Sequence, residues 1–479
     1  MPKTRSVIAS GNSFIGSPFS TPPMIDDTIS AIATAVGEAG LSVIRISGPD
    51  ALPIAERCFR PIGQRSSKPT AAESHTVHYG KIVKQNALID EVLLTVLRAP
   101  RTFTKEDVVE ISCHGGLIPT KLVLDTILEN GARLAEPGEF TKRAFLNGRI
   151  DLTQAEAVAD VIHSKTDLAL RAANEQLAGK LSKRIETLRE DLLKILAHIE
   201  AHIDFPDEDI APDTKNSLIE KLERGIQFMD ALLASAPEGQ ILRNGVRTAI
   251  IGRPNAGKSS LLNCLLGKDR AIVSNTAGTT RDTIEETANI RGIPIVFIDT
   301  AGLRESSDQI EQEGIRRSQE SLGNADLILH VIDASQGLTD YESDLLKQYS
   351  EKTKLIVLNK SDLPSDIKLE GKLSDTAIPI SCETGAGLET LRDKIRAAVW
   401  SGQVEGEMLE VMINSRHQAA LLRAKESTKI TTQALKDDLT LELVALDLRI
   451  AVTAIGEIVG KTSTDDLLDK IFSEFCLGK

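Results

Sequence analysis

The sequence is poor in aromatic side chains, contains few cysteines and lacks any long uninterrupted apolar run. Aromatic residues make up only 3% of its 479 residues, which is typical of a chain built largely from helices rich in Ala, Leu and Ile. Its five cysteines are scattered and form no Cys-x-x-Cys pair, which fits a reducing cytoplasm and a fold without a disulfide framework. No apolar run approaches the roughly 18 residues of a membrane-spanning helix, so no membrane association is predicted.

The chain is acidic, and its first residues differ in composition from the rest. The net charge of −13 argues against a broad basic clamp on nucleic acid, although a local basic patch is compatible with it. Residues 1–25 are rich in Ser, Gly and Pro and contain no apolar stretch as long as a secretory signal requires. We predict that they form a disordered tail. A transit peptide and a misassigned start codon are the alternatives.

The remaining residues divide into segments with different patterns. Residues 26–145 mix short predicted strands and helices, which predicts an α+β domain. Residues 146–245 and 406–479 carry apolar residues three and four apart, which predicts one helical domain in two separated segments. Residues 246–405 lie between them and, at about 160 residues, have the length of an inserted domain. The predicted fold class is therefore multidomain α/β.

Helix signals mark both ends of the first helical segment. Asp151 is a predicted N-cap, because a short acidic side chain precedes the helix-forming run. Helical periodicity continues over Asn216–Ala234. The triplet Pro237-Glu-Gly239 is predicted to interrupt it before the next strand.

The segment Gly252–Ser260 has the spacing of a phosphate-binding loop. It follows a predicted buried strand, 246–251, and precedes a predicted helix, which is the context that this motif needs. Glycine lets backbone N–H groups surround a phosphate chain, and the helix N-terminus adds a positive dipole end. Lys258 would reach the β and γ phosphates, and Ser259 would bind Mg²⁺. The alternative is a fortuitous glycine-rich turn.

Two further motifs are typical of a γ-phosphate sensor. In Gly278-Thr-Thr-Arg-Asp282, the hydroxyl of Thr280 would make a second Mg²⁺ contact. In Asp299-Thr-Ala-Gly302, the carboxylate would hold Mg²⁺ through water, and the glycine N–H would meet the γ-phosphate.

Two more motifs predict guanine recognition. In Asn359-Lys-Ser-Asp362, Asp362 can accept hydrogen bonds from N1–H and the 2-amino group of guanine, a pattern that adenine does not offer. Ser381-Cys-Glu383 resembles the loop that supports guanine O6. Each motif ends a predicted strand, at the edge where doubly wound sheets bind ligands. GTP is therefore predicted rather than ATP, and residues 246–405 are predicted to be an inserted Ras-like P-loop α/β G domain.

One position departs from many GTPases. Leu303 stands where a glutamine often orients the attacking water, and leucine cannot do this. Either the domain is a GTP-binding scaffold that barely hydrolyses, or another group, such as Glu305, Asp308 or Glu311, supplies the function. Asn255 resembles the asparagine of GTPases activated by K⁺, in which the cation offsets charge in the transition state. The alternative is an asparagine that only stabilises the loop.

Six motifs together resemble the MnmE (TrmE) family of tRNA modification GTPases, from about residue 26 to the C-terminus. They are Ile111-Ser-Cys-His-Gly-Gly116, Pro137-Gly-Glu-Phe-Thr-Lys-Arg-Ala-Phe-Leu-Asn-Gly148, Asp151-Leu-Thr-Gln-Ala-Glu-Ala157, Asp204-Phe-Pro-Asp-Glu208, Gly252-Arg-Pro-Asn-Ala-Gly-Lys-Ser259 and Phe475-Cys-Leu-Gly-Lys479. The terminal Cys-x-Gly-Lys is the most telling, because generic GTPases lack it. The Pro-Pro-Gly type turn of relatives is Ala35-Val-Gly-Glu-Ala-Gly40 here, near the expected folate pocket.

The resemblance implies a function. Family members work with the flavoprotein MnmG, which carries FAD, and add a carboxymethylaminomethyl or aminomethyl group to C5 of the wobble uridine of certain tRNAs. A tetrahydrofolate derivative, 5-formyl- or 5,10-methylene-tetrahydrofolate, is bound by the N-terminal domain, which also holds a constitutive homodimer. The G domains of the dimer meet during K⁺-assisted GTP hydrolysis.

The resemblance also implies site residues. Mg²⁺ is expected at Ser259 and Thr280, and K⁺ at Asn255, Ser274, Thr276 and Thr279. Glu311 is expected to orient the attacking water, and Cys476 to act as nucleophile or acid. Folate contacts are expected from Arg45, Glu110, Arg149 and Lys479, although Arg45 and Glu110 could instead form a surface salt bridge. GTP contacts are expected from Asn255, Ala256, Gly257, Lys258, Ser259, Ser260, Ser274, Asn275, Thr276, Ala277, Gly278, Thr279, Thr280, Asp299, Thr300, Ala301, Gly302, Asn359, Lys360, Asp362, Ser381, Cys382 and Glu383.

Two rival interpretations stay open on sequence grounds. A ribosome-associated or assembly GTPase would share the potassium-type loop, but it would not account for the terminal motif or the N-terminal domain. A non-enzymatic folate-binding module would have a vestigial G domain, whereas all five nucleotide motifs are intact here.

Overall fold

The structure is a computed structural model that describes residues 26–204, 212–267, 286–298, 323–338, 352–364, 377–400 and 412–479. The chain divides into two compact units. The first consists of the residues up to Arg149 together with Phe472–Lys479, and the second of Ile150–Ile471. Among the helices of the described ranges, none has both the length and the apolar character needed to cross a bilayer.

The first unit is built on a seven-stranded sheet with the order β3-β4-β5-β6-β2-β1-β7. Neighbouring strands are antiparallel except β1 and β7. The strands are β1 (Ile29–Ile32), β2 (Leu41–Ser47), β3 (Phe59–Pro61), β4 (Thr76–Lys84), β5 (Ala87–Leu97), β6 (Val108–His114) and β7 (Arg133–Leu134). The helices are α1 (Ala51–Cys58), α2 (Leu117–Glu129) and α3 (Glu139–Leu146), with a 3₁₀ turn at Pro69–Ala71.

Alternation along the strands assigns residues to the two faces of this sheet. Ile44 and Ile46 of β2 and Ile111 of β6 point into the core beneath α1 and α2. Because successive strand side chains point to opposite faces, Arg45 and Glu110 lie on the other face. The two residues are direct register partners, which brings a cation and an anion together at this position.

A buried arginine ties separate parts of the first unit together. Arg143 of α3 is almost fully buried and makes ion pairs with Asp27 (2.6 Å), Glu106 (3.3 Å) and Glu139 (3.0 Å). Burial alone would raise the pKa of Asp27 and Glu139. The hydrogen bonds from Arg133 and Arg143 outweigh it and hold the pKa of both carboxyls below the usual range. This network therefore depends on ionised carboxylates.

The second unit contains the helical segments. They are α4 (Leu152–His163), α5 (Asp167–Leu177), α6 (Lys180–Asp204), α7 (Pro212–Ala234), α8 (Ala236–Asn244), α11 (Ser415–Lys436), α12 (Leu441–Val459) and α13 (Asp465–Ser473), whose last residues belong to the first unit. The N-cap prediction at Asp151 is confirmed: its side chain accepts from the Gln154 N–H, and Gln154 returns a bond to the Asp151 backbone. The predicted interruption at Pro237-Glu-Gly239 is wrong, because Pro237 lies in the first turn of α8, where a missing N–H is tolerated.

Four of these helices share one apolar core. Helices α6, α7, α11 and α12 bury a continuous set of aliphatic side chains. The set includes Leu181, Ile185, Leu192, Ile199, Leu222, Met229, Leu421, Val444, Leu448 and Ile455. Their three- and four-residue spacing along each helix is the pattern that the sequence contains.

A six-stranded sheet with the order β13-β12-β11-β8-β10-β9 forms the inserted part of the second unit. All neighbours are parallel except β9 and β10. The strands are β8 (Val246–Ile251), β9 (Glu286–Ile290), β10 (Ile293–Phe297), β11 (Leu327–Asp333), β12 (Lys354–Asn359) and β13 (Ile378–Pro379), with helices α9 (Lys258–Leu266) and α10 (Leu388–Val399). Parallel strands end at one edge, so the loops after β8, β11, β12 and β13 meet there.

Candidate functional site

The loop after β8 has the conformation that its glycines require. Gly257 caps α9 with a left-handed φ of +94°, and a Cβ there would lie 2.0 Å from the Asn359 amide nitrogen. Asn255 also has a positive φ, +61°. The backbone thus makes a tight turn at the start of α9, which is the anion-binding geometry expected of a phosphate loop.

Lys258 points back into this loop. Its ammonium donates to the carbonyl oxygens of Gly252 (2.9 Å) and Arg253 (2.8 Å). Burial lowers the pKa of Lys258. A bound anion would act in the opposite direction, because a nearby negative charge favours the charged ammonium. Ser259 and Ser260 are exposed in the first turn of α9, beside Lys258.

Asn359 joins the phosphate loop to the loops expected to bind guanine. Its buried amide donates to the Ala256 carbonyl at 3.0 Å and accepts from the Cys382 N–H at 3.2 Å. Ser381 is buried and accepts from the Thr384 N–H at 3.1 Å. These bonds explain why an asparagine begins the Asn-Lys-Ser-Asp motif: its amide carries a donor and an acceptor on two separate atoms, and both are used here.

The expected guanine-binding carboxylate and the thiol of the neighbouring loop differ in exposure. Asp362 is exposed, as recognition of a base requires. Burial and the neighbouring Cys264 raise the pKa of Cys382 to about 12, so this thiol stays protonated. The contribution of Cys382 to the loop is its backbone N–H, which donates to Asn359.

Asp333 is a residue of this edge that the sequence motifs did not reveal. It ends β11, is 1% exposed, and accepts from the Lys360 ammonium at 2.6 Å. It also accepts from the Ser335 N–H at 3.0 Å, and Arg253 lies 3.8 Å away. Burial alone would raise the pKa of Asp333, but the bonds from Lys360 and Ser335 hold that pKa below the usual range. The available signal was an acidic residue at the end of a fully buried strand, Leu327–Asp333.

Twelve predicted site residues lie outside the described ranges, so the structure does not place them. They are Ser274, Asn275, Thr276, Ala277, Gly278, Thr279, Thr280, Asp299, Thr300, Ala301, Gly302 and Glu311. Of the expected metal ligands, Ser259 for Mg²⁺ and Asn255 for K⁺ are therefore the ones whose positions are described.

A second candidate site lies in the first unit, on the face of the sheet opposite the core beneath α1 and α2. The Arg45 guanidinium binds the Glu110 carboxylate through Nε (2.9 Å) and its terminal nitrogen (2.8 Å). The Phe103 ring lies within cation–π distance of two guanidiniums, 4.8 Å from that of Arg149 and 6.0 Å from that of Arg45. Among the described residues, Arg149 makes no ion pair, so its charge remains available to an anion.

The C-terminal segment reaches the same place. Arg45 donates to the Gly478 carbonyl at 3.5 Å, and the Gly138 N–H lies 3.5 Å from the Cys476 carbonyl. Gly478 has a φ of +87°, and a Cβ on it would lie 2.3 Å from the Ile32 carbonyl oxygen, so only glycine fits.

Aromatic packing holds this segment. The ring of Phe472 lies 6.4 Å from that of Phe145 and 5.6 Å from that of Phe475. The exposed Cys476 and the chain end at Lys479 are thereby held in the first unit, with Arg45, Glu110 and Arg149.

Comparisons with known proteins cover both units. The family model for the MnmE helical domain matches residues 152–476, and that for the GTP-binding protein TrmE N-terminus matches residues 28–149. The chain is 45% identical over 463 residues to the tRNA modification GTPase MnmE of Thermoanaerobacter pseudethanolicus, covering 95% of this chain and all of the relative. It is 47% identical over 459 residues to the protein of the same name from Clostridioides difficile, with 95% and 100% coverage.

A crystal structure of Aquifex aeolicus Era bound to GDP.AlF4- is 30% identical over 38% of this chain and 66% of its own, with a TM-score of 0.25. The family of this chain is established by the two family models and the full-length relatives, not by this structural match. The same comparisons confirm the predicted multidomain fold class. The chain therefore belongs to the MnmE (TrmE) family.

Proposed function

We propose that this GTP hydrolase of tRNA modification is activated by K⁺ and acts with the flavoprotein MnmG as a homodimer. Together they would install a carboxymethylaminomethyl or aminomethyl group on C5 of the wobble uridine, position 34, of certain tRNAs. The one-carbon unit would come from a tetrahydrofolate derivative bound in the first unit. The coarser part, GTP hydrolysis in tRNA modification, follows from the family and from the intact nucleotide motifs.

The observation that carries the folate part is the C-terminal segment folded against Arg45. Folate derivatives combine a flat bicyclic ring with glutamyl carboxylates. Arg149 and Lys479 supply cations for carboxylates, and the Phe103 face supplies an apolar platform for a flat group. Glu110, oriented by Arg45, supplies an acceptor for ring N–H groups. The residues present therefore fit such a ligand. An assembly GTPase would have no use for this arrangement.

The edge of the six-stranded sheet where the loops after β8, β11, β12 and β13 meet carries groups that fit GTP. Lys258 and the turn at Gly257 would hold the phosphates, and the exposed Asp362 would accept from guanine. Ser259 and Thr280 would hold Mg²⁺. Asn255, Ser274, Thr276 and Thr279 would hold K⁺, and the two cations would offset charge that develops on the phosphates. Glu311 would orient the attacking water, which Leu303 cannot do.

Two measurements test the proposal. The first is GTP turnover in matched K⁺ and Na⁺ buffers, where a strong preference for K⁺ is expected. The second is nucleoside mass spectrometry of tRNA after incubation with the chain, MnmG, GTP and the folate derivative. Equal turnover in both salts would contradict K⁺ activation. K⁺-dependent turnover without folate binding would favour the ribosome-associated or assembly GTPase.

A further inference from the structure

The outward face of α12 is apolar where a bundle helix normally carries polar residues. Leu443, Leu446 and Ile450 are 51%, 55% and 49% exposed. Their spacing of three and four residues puts them on one stripe, opposite the buried Val444 and Leu448. We call these three exposed residues the α12 outer face. Scattered exposed leucines are ordinary, but a stripe of three at the centre of the solvent side indicates a binding surface.

Acidic residues border this stripe on both sides. At 100° per residue, Glu442 and Asp447 lie about 70° to either side of its centre. Neither carboxylate makes an ion pair within the described ranges. The nearest cation of the helix, Arg449, is engaged by Glu200 through two bonds of 2.8 and 3.0 Å. The α12 outer face is thus an apolar strip between two available negative charges.

This charge pattern favours one kind of binding partner over the others. A second copy in a symmetric contact would bring the carboxylates of Glu442 and Asp447 against their own equivalents, which is unfavourable. RNA phosphates and anionic lipid head groups would be repelled by the same carboxylates and by the net charge of −13. A protein helix with an apolar strip flanked by Lys or Arg complements both features.

We propose that the α12 outer face binds an amphipathic, basic-flanked helix of a second protein, namely the flavoprotein partner of the proposed function. The inference rests on that proposed function, because the flavoprotein is its only other protein component. The three aliphatic side chains would form the centre of the interface, and the carboxylates of Glu442 and Asp447 its polar rim.

The test is the affinity of the full-length chain for purified flavoprotein, measured by isothermal titration calorimetry at low and high salt. The variant Leu443→Ser/Leu446→Ser/Ile450→Ser should bind at least about tenfold more weakly, as expected for central apolar residues of an interface. The matched control Leu422→Ser/Ile430→Ser removes two half-exposed aliphatic side chains from α11 and should bind within about twofold of wild type.

A charge-reversed variant tests the rim separately. Glu442→Lys/Asp447→Lys should weaken binding mainly at low salt, because ions screen exposed charges at higher ionic strength. All variants should keep the wild-type melting temperature and basal GTP turnover, since these side chains are exposed and lie on the helical bundle.

The possible outcomes distinguish failure of the α12 outer face as a binding surface from failure of the proposed partnership with the flavoprotein. If the wild-type chain does not bind flavoprotein, the proposed partnership fails. If wild type binds and the triple-serine variant binds equally well, the partnership stands and the α12 outer face is not its site. Loss of self-association in the triple-serine variant, with flavoprotein binding unchanged, would assign the surface to a second copy and overturn the proposal.

Discussion

Substitution of Asp333 by Asn tests how the guanine-binding loop is held. The variant keeps the side-chain size but removes the charge, so the Lys360 ammonium loses its partner at 2.6 Å. A hydrogen bond to a charged group contributes about 1.5–3 kcal/mol. Because the Lys360 side chain is 34% exposed, solvent screening favours the lower end. We expect GDP binding to weaken by about 1.5 kcal/mol, which is a roughly tenfold higher Kd.

The assay is titration of GDP and of IDP, which lacks the 2-amino group that Asp362 is expected to bind. If Asp333 positions the loop from Lys360 to Asp362, GDP should lose more affinity than IDP. The control Ser335→Ala removes one hydroxyl donor to Asp333 but keeps its charge, so a change within about threefold is expected. Equal GDP affinities in folded wild type and Asp333→Asn, or equal losses for GDP and IDP, would refute this reasoning.

Three further predictions concern hydrolysis, the terminal segment and acid stability. Glu311→Ala should abolish K⁺-dependent GTP turnover while GDP binding persists; turnover at the wild-type rate would contradict the water-orienting role. Gly478→Ala should displace the terminal segment, because its Cβ meets a carbonyl oxygen of β1, and should raise the Kd for 5-formyl-tetrahydrofolate about tenfold or more, whereas the exposed neighbour changed in Leu477→Ala should have little effect. Arg143→Met should lower the unfolding free energy by about 3 kcal/mol at pH 7. Because the pKa values of Asp27 and Glu139 are lowered in the folded state, their stabilisation is present at neutral pH and is lost as pH falls through those values. The unfolding free energy, measured by chemical denaturation from pH 7 to 3, should therefore fall more steeply with decreasing pH in wild type than in Arg143→Met. Parallel curves of unfolding free energy against pH would contradict this account.

Much of the local structure could be predicted, because its determinants are close together in sequence. The predicted helix Asn216–Ala234 is observed as Pro212–Ala234, since its boundaries depend on caps and periodicity. The phosphate loop could be predicted because a strand, glycines and a helix follow one another directly in the sequence, from Val246 to Leu266. The error at Pro237 arose because a proline signals a helix start as readily as a helix end.

The parts that could not be predicted depend on contacts between distant residues. The pairing of Arg45 with Glu110 follows from the register of β2 with β6, which no local pattern determines. The family resemblance predicted that the terminal motif reaches the folate residues, but the fit of Gly478 against Ile32 depends on a contact between residues far apart in the sequence. Asp333 was missed because its partners come from three separate loops.

The docking of Phe472–Lys479 into the first unit has a consequence for how the protein is made. The first residues of this unit emerge from the ribosome early, yet the unit lacks Phe472–Lys479 until those residues have also been translated. All of residues 150–471 must be translated in between. A prematurely terminated chain can therefore fold its sheet and even its nucleotide-binding edge, but it cannot complete the site around Arg45.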